Sequence, residues 1–358
     1  MGLIRFLLAC GVVLTHTSTI EGYSPVNSNL AVQCFYIISG YYMALILTEK
    51  YTGKGSQYLF YTNRALKIYP VYWLNLILLL ILNLLAFTRG YPGNFDFYFK
   101  YQPPSFGPLC YFILSNLLII GLDWTFFFGI NQSGDLFLTR NFNATNPNVY
   151  NYAFNSIAWT VGLELLFYAF APWLNKQKWW LLFGLLLVSL LLRIAAVVFW
   201  FDLPPWSYMF FPTQVMFFMA GMLSYKFIKV SKLNWGKHLK TAIYLLLLAV
   251  VLFYYQVFTE SYYKQAVLFL CITLCMPFAF DLTKKSKFDR LLGNLSYPIY
   301  ITQELAIHLT TSKRFPNIID RGLTTLLLDI LLSVIIYKTV TVYIERIRAN
   351  RVKQFKQA

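Results

Sequence analysis

Apolar residues fall along this chain in long runs broken by short polar stretches. That is the pattern of repeated membrane crossings rather than of amphipathic helices around a water-soluble core. Runs long enough to cross ~30 Å of hydrocarbon at ~1.5 Å per residue cover 3–21, 30–48, 66–88, 153–174, 180–201, 208–227, 241–258, 264–282, 292–310 and 322–344. A further apolar stretch, 108–128, is interrupted by Gly121 and Asp123. The pattern predicts an all-α, polytopic transmembrane bundle of about ten spanning helices, with 108–128 as one re-entrant or interfacial segment. The Asn-rich segment 131–152 reads as a connection, and no internal repeat is visible.

Composition agrees with the pattern. Of 358 residues 58% are hydrophobic and only 12% charged, about half the charged fraction of a soluble domain, which leaves no room for a large soluble domain beside the spans. No small-x-small cleavage site follows the first apolar run, so it reads as a retained helix rather than a signal peptide.

The net charge of +16 would suit nucleic acid, but the placement of the charges decides otherwise. With the N-terminus inside and 108–128 not crossing, about two thirds of the 30 Lys and Arg fall in inner loops and the C-terminal tail. A full crossing by 108–128 would turn most of them outward. The charge therefore reads as positive-inside bias, with both termini cytoplasmic in an integral membrane protein and no nucleic-acid partner. Cys10, Cys34, Cys110, Cys271 and Cys275 lie mostly in apolar stretches and make neither a zinc spacing nor a disulfide framework, so no metal site is expected.

Ionisable residues inside spans are the candidates for chemistry, because they are costly there. Arg5 and His16 lie eleven residues apart, three helical turns plus ~20°, so they share one face ~16 Å apart along the axis. Arg5 alone reads equally as a snorkelling inner anchor, and His16 alone as a polar helix contact. In FYTNRALKIYPVYW (60–73), Arg64 and Lys67 share a face at the inner end of the third span. By spacing alone they are basic flanks of a membrane helix; with Arg5 they would suit a phosphorylated ligand. Glu164, the one acid of its span, needs a proton or a partner: His16, Arg193 and Arg64 are the candidates, and a structural Glu–Arg pair is the plain alternative. Ser39-Gly40 places small residues mid-span, and Tyr297 lies in a polar stretch of the ninth span. His238 reads as solvated and His308 as interfacial.

Together these stretches resemble the acyltransferase-3 family, membrane O-acetyltransferases of bacterial surface polysaccharides and related acceptors. The resemblance runs over essentially the whole chain. Its motifs are Arg5-x10-His16, Phe35-x-x-x-Ser39-Gly40, the basic approach from Arg64 to Pro70 and Tyr72, Trp159-Thr160-Val161-Gly162-Leu163-Glu164, and Leu292 to Tyr300. Each is weak alone; five in order are specific. Lys67 stands where members often have Arg, Thr160-Val161 replaces Ser-Leu, and Gln303 stands where many have His, so no role is carried to it.

The resemblance implies a single acyltransferase domain over 1–358, the short form with no extracytoplasmic esterase-like domain, in the bacterial cytoplasmic membrane among its lipids. It implies a cytoplasmic acyl-CoA, acetyl-CoA by family habit, as donor, with no bound cofactor, and a hydroxyl of a cell-surface glycan or glycolipid as acceptor. Arg5, Arg64 and Lys67 would hold coenzyme A. His16 would be catalytic, as general base or acyl carrier, with Glu164 orienting or balancing it or a nearby cation; Ser39, Trp159 and Tyr297 would line the site. A transporter or flippase of a lipid-linked sugar, using the same His, Glu and Arg as a relay, is the alternative from another class. A glycan polymerase or ligase is a third, with less outer loop than such enzymes use.

Overall fold

The computed structural model describes residues 1–20, 23, 25–199, 205–231, 235–257, 261–311 and 320–357. The predicted span ends at 21, 201 and 258 and the loop cations Lys232, Lys313 and Arg314 lie outside the described residues. The fold is all-α and polytopic. Its helices are α1 (Gly2–His16), α2 (Ser28–Glu49), α3 (Ser56–Thr88), α4 (Asn94–Asp96), α5 (Phe106–Leu118), α6 (Trp159–Lys176) and α7 (Trp179–Val198). There follow α8 (Phe211–Ser231), α9 (Lys237–Val257), α10 (Tyr262–Thr283), α11 (Lys287–Thr311), α12 (Arg321–Ile336) and α13 (Val342–Gln357). A π turn, Tyr337–Thr341, joins the last two.

Among the described residues, seven segments are long and apolar enough to cross a membrane: α2, α3, Ser156–Lys176, α7, Lys237–Tyr254, α10 and the stretch from Arg321 onward. The protein is thus an integral membrane protein, with fewer qualifying spans than the ten expected. The reasons are local. Helix α1 stops at His16, five residues earlier than its apolar run suggested, while α8 and α11 are long enough but diluted by polar residues. The stretch 108–128 is not one helix. Helix α5 has 13 residues, ~20 Å of rise against ~30 Å of hydrocarbon. It ends where Ile119 turns to φ 67° and Gly121 to φ 86°.

The chain divides into two compact units. The first holds Met1–Val71, Ala171–Leu186 and Phe217–Ala358; the second holds Tyr72–Phe170 and Leu187–Met216.

In the first unit α1 is packed on by α2, α9, α11 and α12. Ala9 and Val13 meet Leu295 and Ile299 of α11 in a buried cluster. Close backbone approach sets the helix positions. A Cβ on Gly40 would lie 2.0 Å from the Phe218 carbonyl oxygen, and one on Gly221 would lie 1.9 Å from that of Ile37, so α2 and α8 cross with their backbones in contact. This is the physical reason for the Ser39-Gly40 pair. Asn27 caps α2 through Leu30 N–H at 3.0 Å, and Asp320 caps α12 through Leu323 N–H at 2.7 Å.

The second unit contains the segment expected to be a connection. It is folded: strands Phe128–Ile130 and Leu136–Leu138 pair antiparallel, and Phe112, Ile130, Val149 and Tyr152 form a buried cluster. Asn side chains do the joining. The Asn116 carboxamide donates to the Tyr152 carbonyl at 3.0 Å and accepts from Phe154 N–H at 2.8 Å, while Asn94 donates to the Asn151 carbonyl at 2.8 Å.

One contact fixes the start of α1. The Asp289 carboxylate, before the apolar part of α11, accepts from Gly2 N–H at 2.8 Å, Leu3 N–H at 3.0 Å and the Met1 ammonium at 2.9 Å. Burial works to raise the Asp289 carboxyl, but these donors outweigh it and hold it below the ordinary carboxylate range. A carboxylate so depressed stabilises the fold above its ordinary value and loses that contribution as pH falls through its folded one. Replacing Asp289 by Ala is therefore expected to cost about 1–2 kcal/mol at neutral pH, the usual cost of a lost helix cap. Thermal unfolding in detergent should show the gap between wild type and variant narrowing below about pH 4; a gap independent of pH would assign the effect to packing alone.

Candidate functional site

The first unit gathers most of the residues singled out from sequence. Arg5, one turn into α1, places its guanidinium 6.0 Å from the Tyr42 ring of α2. It also lies beside Gly293, where a Cβ would stand 3.9 Å from its Nη1. Arg64 and Lys67 project from α3, with the Arg64 guanidinium 5.9 Å from the Phe60 ring. Arg64 is buried at 7% exposure, and Lys67 is half-buried. The Tyr297 hydroxyl of α11 donates to the Ile68 carbonyl at 3.0 Å, tying α11 to α3 one residue beyond Lys67. Ser39 is half-buried beside the α2–α8 crossing.

Three further groups, none read from sequence as part of a site, join this cluster: Lys50 and Tyr51 at the end of α2, and Arg348 of α13. The Lys50 ammonium lies 5.6 Å from the Tyr51 ring, and that ring lies 5.6 Å edge-on to Phe60. The Asn63 amide donates to the Tyr51 hydroxyl at 3.2 Å. Arg348 also bonds the Tyr51 hydroxyl and pairs with Glu345 one turn back on α13. Around Lys67 stand the charges of Arg64, Arg5 and Arg348, with Glu345 the carboxylate acting on it.

The groups outside the spans register this field. Burial, then the charges of Arg348 and Arg64, push the Lys50 ammonium below its ordinary value, against the Tyr51 hydroxyl. Burial would raise Tyr51, yet Arg64, the Asn63 amide, Lys50 and Arg348 together hold it below the usual phenol range. Among the described residues, Arg5, Lys50, Arg64, Lys67 and Arg348 thus share a partly covered site with the Glu345 carboxylate. Buried charge is tolerated when paired, so the arrangement suits a polyanion with several phosphate oxygens.

His16 closes α1 at its other end and is exposed. At ~1.5 Å per residue it stands ~16 Å from Arg5 along the helix. The chain beyond it is held down, because a Cβ on Gly322 would lie 2.1 Å from the Ser18 carbonyl oxygen. Thr15 and Thr17 bond back to the carbonyls of Gly11 and Val13 at 2.8 and 2.9 Å. The imidazole makes no hydrogen bond among the described residues, so its nitrogens are open to a ligand.

Trp159 and Glu164 belong to the second unit. The Trp159 indole is buried edge-on to Phe126 at 5.7 Å and Tyr208 at 5.2 Å. Glu164 accepts a hydrogen bond from the Tyr168 hydroxyl one turn on, and Arg193 donates to the Ser207 carbonyl at 2.9 Å. No group of three or more His, Cys, Asp or Glu able to hold a metal occurs among the described residues.

The cation cluster makes a prediction of its own. Like charges packed without a counter-anion weaken the empty fold, so Lys67→Gln should raise the thermal midpoint of the detergent-solubilised protein at low salt. Pyrophosphate should raise the midpoint of wild type more than that of the variant. A variant less stable than wild type in both conditions would count against a polyanion site.

Residues 1–344 match the profile of the acyltransferase-3 family, described as an acyltransferase domain. The chain is also 29% identical over 136 residues, 38% of its own length and 68% of the relative's, to a curated protein described as protein 2 in the picA locus, from Rhizobium radiobacter. No solved structure matches it.

Proposed function

We propose a reaction from one premise: the chain belongs to the acyltransferase-3 family, with its acyltransferase domain over residues 1–344. It is a membrane acyltransferase. The proposed donor is a cytoplasmic acyl-CoA, acetyl-CoA first among them, and the acceptor is a hydroxyl of a cell-surface polysaccharide or glycolipid. The membrane is the bacterial cytoplasmic one, crossed about ten times with both termini inside.

What carries the reading is the geometry of α1. At its N-terminal end Arg5 stands with Arg64 and Lys67 in a site of five cations and one carboxylate. At its other end, ~16 Å away, is an exposed imidazole that makes no hydrogen bond among the described residues. Phosphates of coenzyme A held at the first end leave the flexible pantetheine arm to bring the thioester toward the second. There His16 takes the proton of the acceptor hydroxyl as its oxygen attacks the thioester carbonyl, and coenzyme A leaves as the thiolate. An imidazole with an ordinary value near 6.5 is matched to that task at neutral pH. Tyr297 and Ser39 are assigned to the lining of the donor path, and Trp159 and Glu164 remain assigned by resemblance alone.

The test is transfer of radiolabel from acetyl-CoA into cell glycans by membranes carrying matched amounts of protein. His16→Ala should lower transfer by about 10²–10⁴-fold, the usual contribution of a general base, and Glu164→Gln tests the carboxylate in the same assay. Equal transfer by wild type and His16→Ala would remove His16 from the chemistry. Acid-labile label on the protein itself would make His16 an acyl carrier instead of a base. Absence of acetyl-CoA consumption by wild type with glycans present would favour a different donor or the transporter reading.

A further inference from the structure

Helix α13 begins at Val342, and all but its first three residues lie beyond the family match, which ends at 344. From the sequence it is a basic tail, VYIERIRANRVKQFKQ, and its arginines are what the positive-inside bias requires. Its side chains divide by face, however. Tyr343, Arg346, Ala349 and Asn350 are exposed, whereas Arg348 is buried at 5% exposure and Val352 at 8%. Glu345, Arg348, Val352 and Phe355 recur every three to four residues and so form one face.

That face is docked on the inner ends of α2 and α3. Arg351 donates to the Thr62 hydroxyl at 2.8 Å and to the Asn63 side-chain oxygen at 3.3 Å. The Phe355 ring stands 3.6 Å from where a Cβ on Gly55 would be, in the α2–α3 turn. Arg351 is thereby spent on structure, and Arg348 is not. The Arg348 guanidinium lies within range of the Arg64 charge, bonds Tyr51 and Glu345, and leaves its buried Nε–H without an acceptor among the described residues.

A guanidinium under cover within range of another is costly, and Arg351, Val352 and Phe355 give α13 docking contacts besides it. An orphaned N–H that is buried asks for an acceptor. The acceptor must carry more than one charge, because the five cations Arg5, Lys50, Arg64, Lys67 and Arg348 exceed the one carboxylate by four. The phosphomonoester and diphosphate of coenzyme A carry about four negative charges together. Phosphate oxygens take guanidinium forks in pairs, which suits Arg64 and Arg348, whereas Lys67 supplies a point charge.

We propose that α13 forms one wall of the donor site, with Arg348 binding the phosphates of acyl-CoA and Glu345 competing with them for its guanidinium. The inference rests on the acyl-CoA reading above and adds to it a residue outside the family match. Anionic lipid headgroups at the inner membrane face carry the same phosphate chemistry, so the test separates the two sources.

The measurement is calorimetric titration of the full-length protein in neutral detergent with coenzyme A, with S-acetylpantetheine, which has no phosphate, and with phosphatidylglycerol mixed micelles. Arg348→Gln should weaken coenzyme A binding about ten- to hundredfold, the effect of losing a charge-assisted hydrogen-bond pair, and Arg348→Lys by less. S-acetylpantetheine should bind wild type and every variant alike. Glu345→Gln should bind coenzyme A several-fold more tightly, a gain that misfolding does not produce. Arg346→Gln, which removes an exposed charge from the opposite face, should match wild type.

If Arg348→Gln binds coenzyme A as wild type does while Arg64→Gln has lost it, α13 is not part of the site and the acyl-CoA reading stands. If wild type itself fails to bind coenzyme A, both fall together. If Arg348→Gln loses affinity for phosphatidylglycerol micelles but not for coenzyme A, the helix is a lipid contact and the proposal is overturned.

Discussion

Like charge held under partial cover organises the first unit around the start of α1. Five side chains from four helices, or from the ends of those helices, bring cationic groups within range of one another, and one carboxylate answers them. In water such repulsion is screened within ~8–10 Å, but partial burial leaves much of it in force. A fold keeps such an arrangement only where packing elsewhere outweighs it. Strain of this kind gathers at sites that bind something of the opposite sign.

The packing that outweighs it lies around α1. Its Gly2 has no room for a Cβ, which would fall 1.6 Å from the Asp289 carbonyl oxygen, and its Gly11 would meet the Val26 carbonyl oxygen at 2.8 Å. Backbones in contact at Gly2 and Gly11 leave α1 little freedom to slide or turn, and the helix itself fixes the rise from Arg5 to His16. The Asp289 cap and the anchored chain at Ser18 pin its two ends. In the proposed reaction, a rigid rod between the cation cluster and the imidazole would suit transfer from a tethered donor, because misplacement would take the imidazole out of reach.

How much of this was legible in the sequence follows from the range of each signal. The Arg5–His16 relation is local, eleven residues on one helix, and periodicity alone delivers it. The spans were legible as apolar runs, but their ends were not. Helix α1 stops at His16, and just beyond it Ser18 packs against Gly322, a contact of which hydropathy carries no record. The segment 131–152 looked like a connection because Asn and Gly are turn residues; its order comes from Asn94 and Asn116, carboxamides in other segments whose partners cannot be read from spacing. Lys50, Tyr51 and Arg348 were missed for the same reason. Arg348 lies 284 positions from Arg64, and in sequence it is one more cation in a basic tail. The one signal that would have raised it is periodic: Glu345, Arg348, Val352 and Phe355 place an acid, a base and two apolar residues on one face of a helix otherwise made for water.

Lysine at 67 fits the same physics. A fourth guanidinium beside Arg5, Arg64 and Arg348 would fix another plane among them. An ammonium on a flexible stem delivers its charge without fixing a plane. The guanidinium forks come from α1, α3 and α13, helices far apart in the chain, and the Lys67 point charge lies within range of all three. On this arrangement the basic tail is not only a topology signal. Its exposed face carries Arg346, Lys353 and Lys356, and its buried face adds Arg348 to the field around Lys67.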